Sequence, residues 1–95
     1  MALQIKQGFE YQGDDKWRWW IWLDGPQAEL DAVDYVVYTL HRTFVNPVRT
    51  VTDRNSQFRL ETSGWGEFRI YAKVVTKDGD SSRLIHDLVL FRSPK

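Results

Sequence analysis

The 95-residue chain predicts an all-β fold, an immunoglobulin-like sandwich of seven to eight short antiparallel strands. Three observations carry that reading. Turn chemistry recurs about every ten residues, at Gly13-Asp14-Asp15, Gly25-Pro26, Asn46-Pro47, Asp53-Arg54-Asn55, Ser63-Gly64 and Lys77-Asp78-Gly79-Asp80. Between these breaks apolar and polar residues alternate with the period of two that a half-buried strand requires. Aromatic residues make up 15% of the chain, five Trp, four Tyr and five Phe, which is too much ring area for a disordered segment. A small barrel is the alternative closure. No linker or repeat divides the sequence, so residues 1–95 read as one domain.

Each element follows from its own pattern. Leu3, Ile5, Phe9 and Tyr11 share one face of a first strand, with Lys6 and Glu10 on the other. Trp17, Trp19, Ile21 and Leu23 form the core face of the next, leaving Arg18, Trp20, Trp22 and Asp24 opposite. Gln27 to Ala32 has room for a single helical turn. Val33 to Leu40 is dense in β-branched and aromatic residues, which disfavours helix. Phe68, Ile70, Ala72 and Val74 alternate with Glu67, Arg69, Tyr71 and Lys73. Asp78-Gly79 then suits the positive φ of a hairpin turn leading into a strand over Leu84 to Phe91.

Composition removes several functions. Thirteen basic and thirteen acidic residues cancel, and the cations are scattered, so direct nucleic-acid binding is not expected. Cysteine is absent, which excludes disulfides and thiolate metal sites and leans toward a cytoplasmic setting. The start, Met1-Ala2-Leu3-Gln4-Ile5-Lys6, lacks a signal-peptide pattern, and no apolar run approaches a membrane span. Catalysis has no foothold either. His41 and His86 sit in no metal-ligand spacing, His86 and Asp87 point to opposite faces of a strand, and the glycines form no phosphate loop. The expectation is a non-enzymatic binding module without cofactor or metal.

Two loops carry recognition chemistry. Leu40-His41-Arg42-Thr43-Phe44-Val45-Asn46-Pro47 offers an imidazole, a hydroxyl and a phenyl ring where strand alternation stops. Ser63-Gly64-Trp65-Gly66-Glu67-Phe68 sets a Trp between two glycines, which permit unusual φ values and close approach to the peptide groups. Each has a structural counterpart: Phe44 as a cap on the core, His41 as a hydrogen-bonded scaffold residue.

Taken in order, Leu40-His41-Arg42-Thr43-Phe44, Asn46-Pro47-Val48-Arg49-Thr50-Val51-Thr52 and Gly64-Trp65-Gly66-Glu67-Phe68 resemble the YEATS domain family. The family pattern is Leu-His-x-Ser/Thr-aromatic, then Asn-Pro-x-Arg-x-Val, then Gly-Trp/Tyr-x-x-Phe. Trp19-x-Ile21-x-Leu23 is similar to the family's early Trp-bearing strand. The similarity spans residues 17 to 91 and looks most like the prokaryotic branch. It implies an immunoglobulin-like sandwich and a reader of acylated lysine, acetyl- or crotonyl-type. On that resemblance Phe44 and Trp65 sandwich the acyl amide, Thr43 accepts its N–H and His41 lines the pocket. The Trp65 N–H donates to the acyl carbonyl, with Gly64 and Gly66 leaving room.

Two other functions stay open on the residues themselves. Trp20 and Trp22 share one outer face and could dock a protein partner, as in an adaptor sandwich of a prokaryotic signalling or defence system. An aromatic-rich sandwich could also present Trp platforms to sugars.

Overall fold

The computed structural model describes residues 3–14, 16–64 and 66–90. Asp15, Trp65 and Phe91 lie outside the described residues. Seven strands appear among those described, with one short helix. They are β1 (Gln4–Gly13), β2 (Lys16–Asp24), α1 (Gln27–Ala32), β3 (Val33–Thr39), β4 (Val48–Val51), β5 (Leu60–Gly64), β6 (Arg69–Thr76) and β7 (Ser81–Asp87). A single 3₁₀ turn, Arg54–Ser56, links β4 to β5. Two antiparallel sheets result, ordered β1-β2-β5 and β4-β3-β6-β7, and they face each other as a sandwich.

Register explains the core. Ile5 opposes Leu23, Phe9 opposes Trp19 and Tyr11 opposes Trp17, so the alternation in each strand delivers one shared inward face. From the other sheet come Val36, Tyr38, Ile70 and Val74. All four are fully buried, as are Trp19, Ile21 and Leu23. Each contributes about 1.5–3 kcal/mol by leaving water.

The last strand departs from the sequence expectation. Pairing with β6 ends at Asp87 rather than running to Phe91, and Leu88 to Leu90 continue outside the ladder. The Asp78-Gly79 hairpin forms as its turn chemistry requires, with Gly79 at φ 93°.

Polar side chains clip the two sheets together at both flanks. On one, the Tyr38 hydroxyl donates to the Phe58 carbonyl at 2.7 Å, and burial pushes its phenol pKa up. The Gln57 side chain donates to the Leu23 carbonyl nearby. On the other flank, Gln7 faces inward from β1. Its Nε2 donates to the Val89 carbonyl (2.7 Å), and its Oε1 accepts from the Val89 N–H (3.1 Å). His86 Nε2 lies 2.6 Å from that same oxygen, so Nε2 carries the proton.

Burial lowers the His86 pKa from its ordinary 6.5, with Asp87 opposing in part. The unfolded chain therefore binds this proton more readily than the folded one. Stability from this group is complete above about pH 6.5, falls as pH drops below that value, and levels off beneath the folded pKa. Urea midpoints measured from about pH 7 down to pH 5 should fall, and His86→Gln should flatten the slope. An unchanged slope in His86→Gln would assign the effect elsewhere.

The outer face of β1-β2-β5 places Trp20 and Trp22 side by side, both partly buried. Trp20 lies over Gly8, its direct partner, where a Cβ would come within 2.4 Å of the indole nitrogen. Arg18 and Arg59 cover the ring at 5.8 and 5.1 Å. Gly8 is therefore the residue that lets Trp20 lie flat on the sheet.

Candidate functional site

The β3–β4 loop is built before any ligand is considered. Leu40 donates its N–H to the Pro47 carbonyl at 2.7 Å, which closes residues 41–46 into a compact loop. Asn46 takes a positive φ of 55°, which Asn tolerates better than most residues. Arg49, reaching back from β4, donates Nε to the Asn46 carbonyl (2.7 Å) and Nη2 to the Val45 carbonyl (2.9 Å). One guanidinium thus holds the crest of the loop.

Within the loop the hydrogen bonds fix a protonation pattern. The Thr43 backbone N–H donates to His41 Nδ1 at 3.3 Å, so Nδ1 is the unprotonated ring nitrogen. Thr43 Oγ1 lies 2.9 Å from the same Nδ1. With Nδ1 accepting, the hydroxyl is the donor. The Thr43 oxygen is left with lone pairs alone to offer an incoming group. His41 is a scaffold residue and a site residue at once.

Across a cleft of about 420 Å³ stands the segment after β5. The cleft is lined by His41, Thr43, Phe44, Gly64, Gly66 and Phe68, together with Val45, Ser63 and Glu67. Phe44 is half-buried, its ring meeting Phe68 at 5.2 Å and Trp19 edge-on at 6.1 Å. Phe68 also meets Trp19 at 5.7 Å and His41 at 6.1 Å. The floor of the cleft is therefore the top of the core, and Phe44 serves as both cap and wall. Glu67 accepts from the Leu90 N–H (2.6 Å), and the Phe68 carbonyl accepts from Leu88 (3.0 Å). The chain after β7 thereby pins this side of the cleft.

Five of the six sequence-derived site residues converge here, and the sixth, Trp65, lies outside the described residues. Gly64 has no positive φ, unlike Gly13 and Gly79. What Gly64 and Gly66 supply is space. A Cβ on Gly66 meets nothing within 4 Å, and one on Gly64 would touch Phe44 at 3.4 Å. By period alone Phe68 continues the inward alternation of Ile70, Ala72 and Val74, which places it with the core. Its place in the Gly-Trp-x-x-Phe block was the available signal. Arg49 lies in the Asn-Pro-x-Arg-x-Val block, whose spacing alone does not reveal its hold on the Val45 and Asn46 carbonyls.

Chemically, the cleft offers aromatic walls, the Thr43 and Ser63 hydroxyls and, among the described residues, one carboxylate, Glu67, one oxygen of which accepts from the Leu90 N–H. The prokaryotic YEATS domain family matches residues 17–89. The chain belongs to the YEATS family. Relatives include the transcription initiation factor TFIID subunit 14 of Schizosaccharomyces pombe, 38% identical over 67% of this chain and 26% of its own length. The AF-9 homolog of Eremothecium gossypii is 39% identical over 72% of this chain and 33% of its own length. This YEATS chain therefore spans about a quarter to a third of those relatives.

Solved structures agree on the fold. The Yaf9 YEATS domain bound to H3K27ac superposes with TM-score 0.69 at 28% identity, covering 97% of this chain and 70% of that one. The Yaf9 YEATS domain recognising an H3K122suc peptide gives TM-score 0.68 at 30% identity, covering 94% and 69%. The immunoglobulin-like sandwich expected from periodicity is thus the YEATS sandwich.

Proposed function

We propose that this domain is a non-enzymatic reader of acylated lysine, taking an acetyl- or crotonyl-type side chain into the cleft walled by Phe44, with Trp65 assigned by the family pattern as the second ring. The observation that carries the reading is the His41–Thr43 pair, which leaves an acceptor-only hydroxyl at an aromatic-walled opening. An acyl amide N–H suits that acceptor. Acylation also removes the lysine charge, so entry between the aromatic walls no longer carries the cost of desolvating an ammonium. A flat amide stacks on each aromatic face for about 0.5–1.5 kcal/mol beyond area burial. The Yaf9 domains, which share the fold, engage acylated histone peptides, and this supports the class of ligand.

The test is a titration of the ¹⁵N-labelled domain with acetyl-lysine, crotonyl-lysine and unmodified peptides. Shifts at His41, Thr43, Gly64 and Gly66 with acylated peptides alone are expected. Thr43→Val strands the amide donor and should weaken binding by about 5- to 150-fold, the equivalent of about 1–3 kcal/mol, whereas Thr43→Ser should retain it. Equal response to unmodified lysine would sink the proposal.

The second reading is an adaptor that docks a partner through Trp20 and Trp22. Arg18, Arg59 and Gly8 already occupy both faces of Trp20. Trp22 is left as a small patch by itself, less than an interface normally needs. Loss of a co-purifying partner in Trp22→Ser, with acyl-peptide binding intact, would favour this alternative.

A further inference from the structure

The two sheets finish their outward faces differently. On β1-β2-β5, Arg18 pairs with Glu10 and Glu61, Arg59 pairs with Glu61, and both guanidiniums lie over Trp20. On that face both arginines are paired with carboxylates. On β4-β3-β6-β7 the register lines up two outward rows. One is Val48, Thr39, Tyr71 and Ile85; the next is Thr50, Val37, Lys73 and Arg83.

The first row leaves Val48, Tyr71 and Ile85 exposed at 58%, 43% and 57%. In the second, Lys73 stands directly opposite Arg83, and neither forms an ion pair with a described residue. Neither row contains a carboxylate. The adjacent Arg69 is cancelled by Asp87 at 2.9 Å. Like charges placed directly across an antiparallel pair are destabilising. Two uncompensated cations thus border an apolar stripe, in a chain whose net charge is zero. A groove of about 310 Å³ runs between them, lined by Val37, Thr39, Tyr71, Lys73 and Arg83.

We propose that this face docks an acidic segment of a partner protein, its carboxylates against Lys73 and Arg83 and its apolar side chains along Val48, Tyr71 and Ile85. Charge complementarity selects this occupant. A second copy of the chain would bring identical positive rows together in a two-fold contact. A nucleic acid would use the cations and leave the apolar stripe without a counterpart. The proposal is independent of the acyl-lysine cleft, which lies at the end of the sandwich rather than on this sheet face.

The test titrates the ¹⁵N-labelled domain with three probes: a peptide alternating glutamate and valine, its lysine–valine counterpart, and oligothymidylate. The acidic peptide alone should shift Val37, Thr39, Tyr71, Lys73 and Arg83 while sparing His41 and Thr43, and salt at about 0.5 M should weaken it severalfold. Lys73→Glu should reduce its affinity about tenfold or more. That same variant should unfold at equal or higher urea, because the new carboxylate faces Arg83. The loss therefore cannot be ascribed to misfolding. No shift at millimolar acidic peptide overturns the proposal, as does an equal response to the basic peptide. Shifts of these amides by oligothymidylate instead, or unchanged binding in Lys73→Glu, overturn it as well.

Discussion

Phe44→Ala is expected to weaken acyl-lysine peptide binding about thirtyfold or more, equivalent to about 2 kcal/mol, while the domain stays folded. The ring supplies one wall of the cleft, and its loss removes both the flat surface for the acyl amide and part of the apolar area that ligand would cover. The backbone of the loop does not depend on it. Leu40, Pro47 and Arg49 close the loop through main-chain and guanidinium bonds, and the Phe44 N–H bond to the His41 carbonyl survives truncation. Because Phe44 also rests on Trp19 and Phe68, some stability is lost with it. Phe44→Leu separates the two effects. Leucine restores most of the packing and lacks the planar face, so its stability should approach that of the native domain while its affinity remains several-fold weaker. Isothermal titration alongside urea unfolding measures both, and native-like affinity in Phe44→Ala would remove this ring from the site.

Trp19→Ala should cost about 3–5 kcal/mol of folding free energy, as large-to-small changes of fully buried aromatics do. For a chain of 95 residues that lowers the melting temperature by roughly 12–40 °C. Trp19 is wholly buried at the centre of β2 and supports both Phe44 and Phe68, so the floor of the cleft goes with it. Among the described residues its indole N–H has no hydrogen-bond partner. Trp19→Phe sacrifices no hydrogen bond to a described residue, so its expected cost is that of the lost volume. A phenylalanine variant as damaged as the alanine one would show that the N–H has a partner after all.

The periodic parts of the molecule were legible in the chain. Trp17, Trp19, Ile21 and Leu23 announced an inward face, and Asp78-Gly79 announced a hairpin, because side-chain alternation and positive φ are local properties. The site blocks were legible as ordered motifs, which brought His41, Thr43 and Phe44 to notice beside Gly64 and Gly66. Other assignments needed partners distant in sequence. Gln7 has no local reason to face inward; it does so because Val89 and His86 meet it across the closing edge of the sandwich. Phe68 reads as core until the loop carrying Phe44 folds down beside it.

By itself the sequence determined the strand faces, the turns and the family blocks, since each depends on residues a few positions apart. Only the tertiary structure decided that Nδ1 of His41 accepts twice, and that the Thr43 oxygen is left to accept. It alone showed that Trp20 is covered by Arg59 and seated on Gly8, and that Lys73 faces Arg83 beside an open apolar row. Those outcomes depend on register and on hydrogen-bond accounting between segments, and neither quantity exists until the sheets have paired.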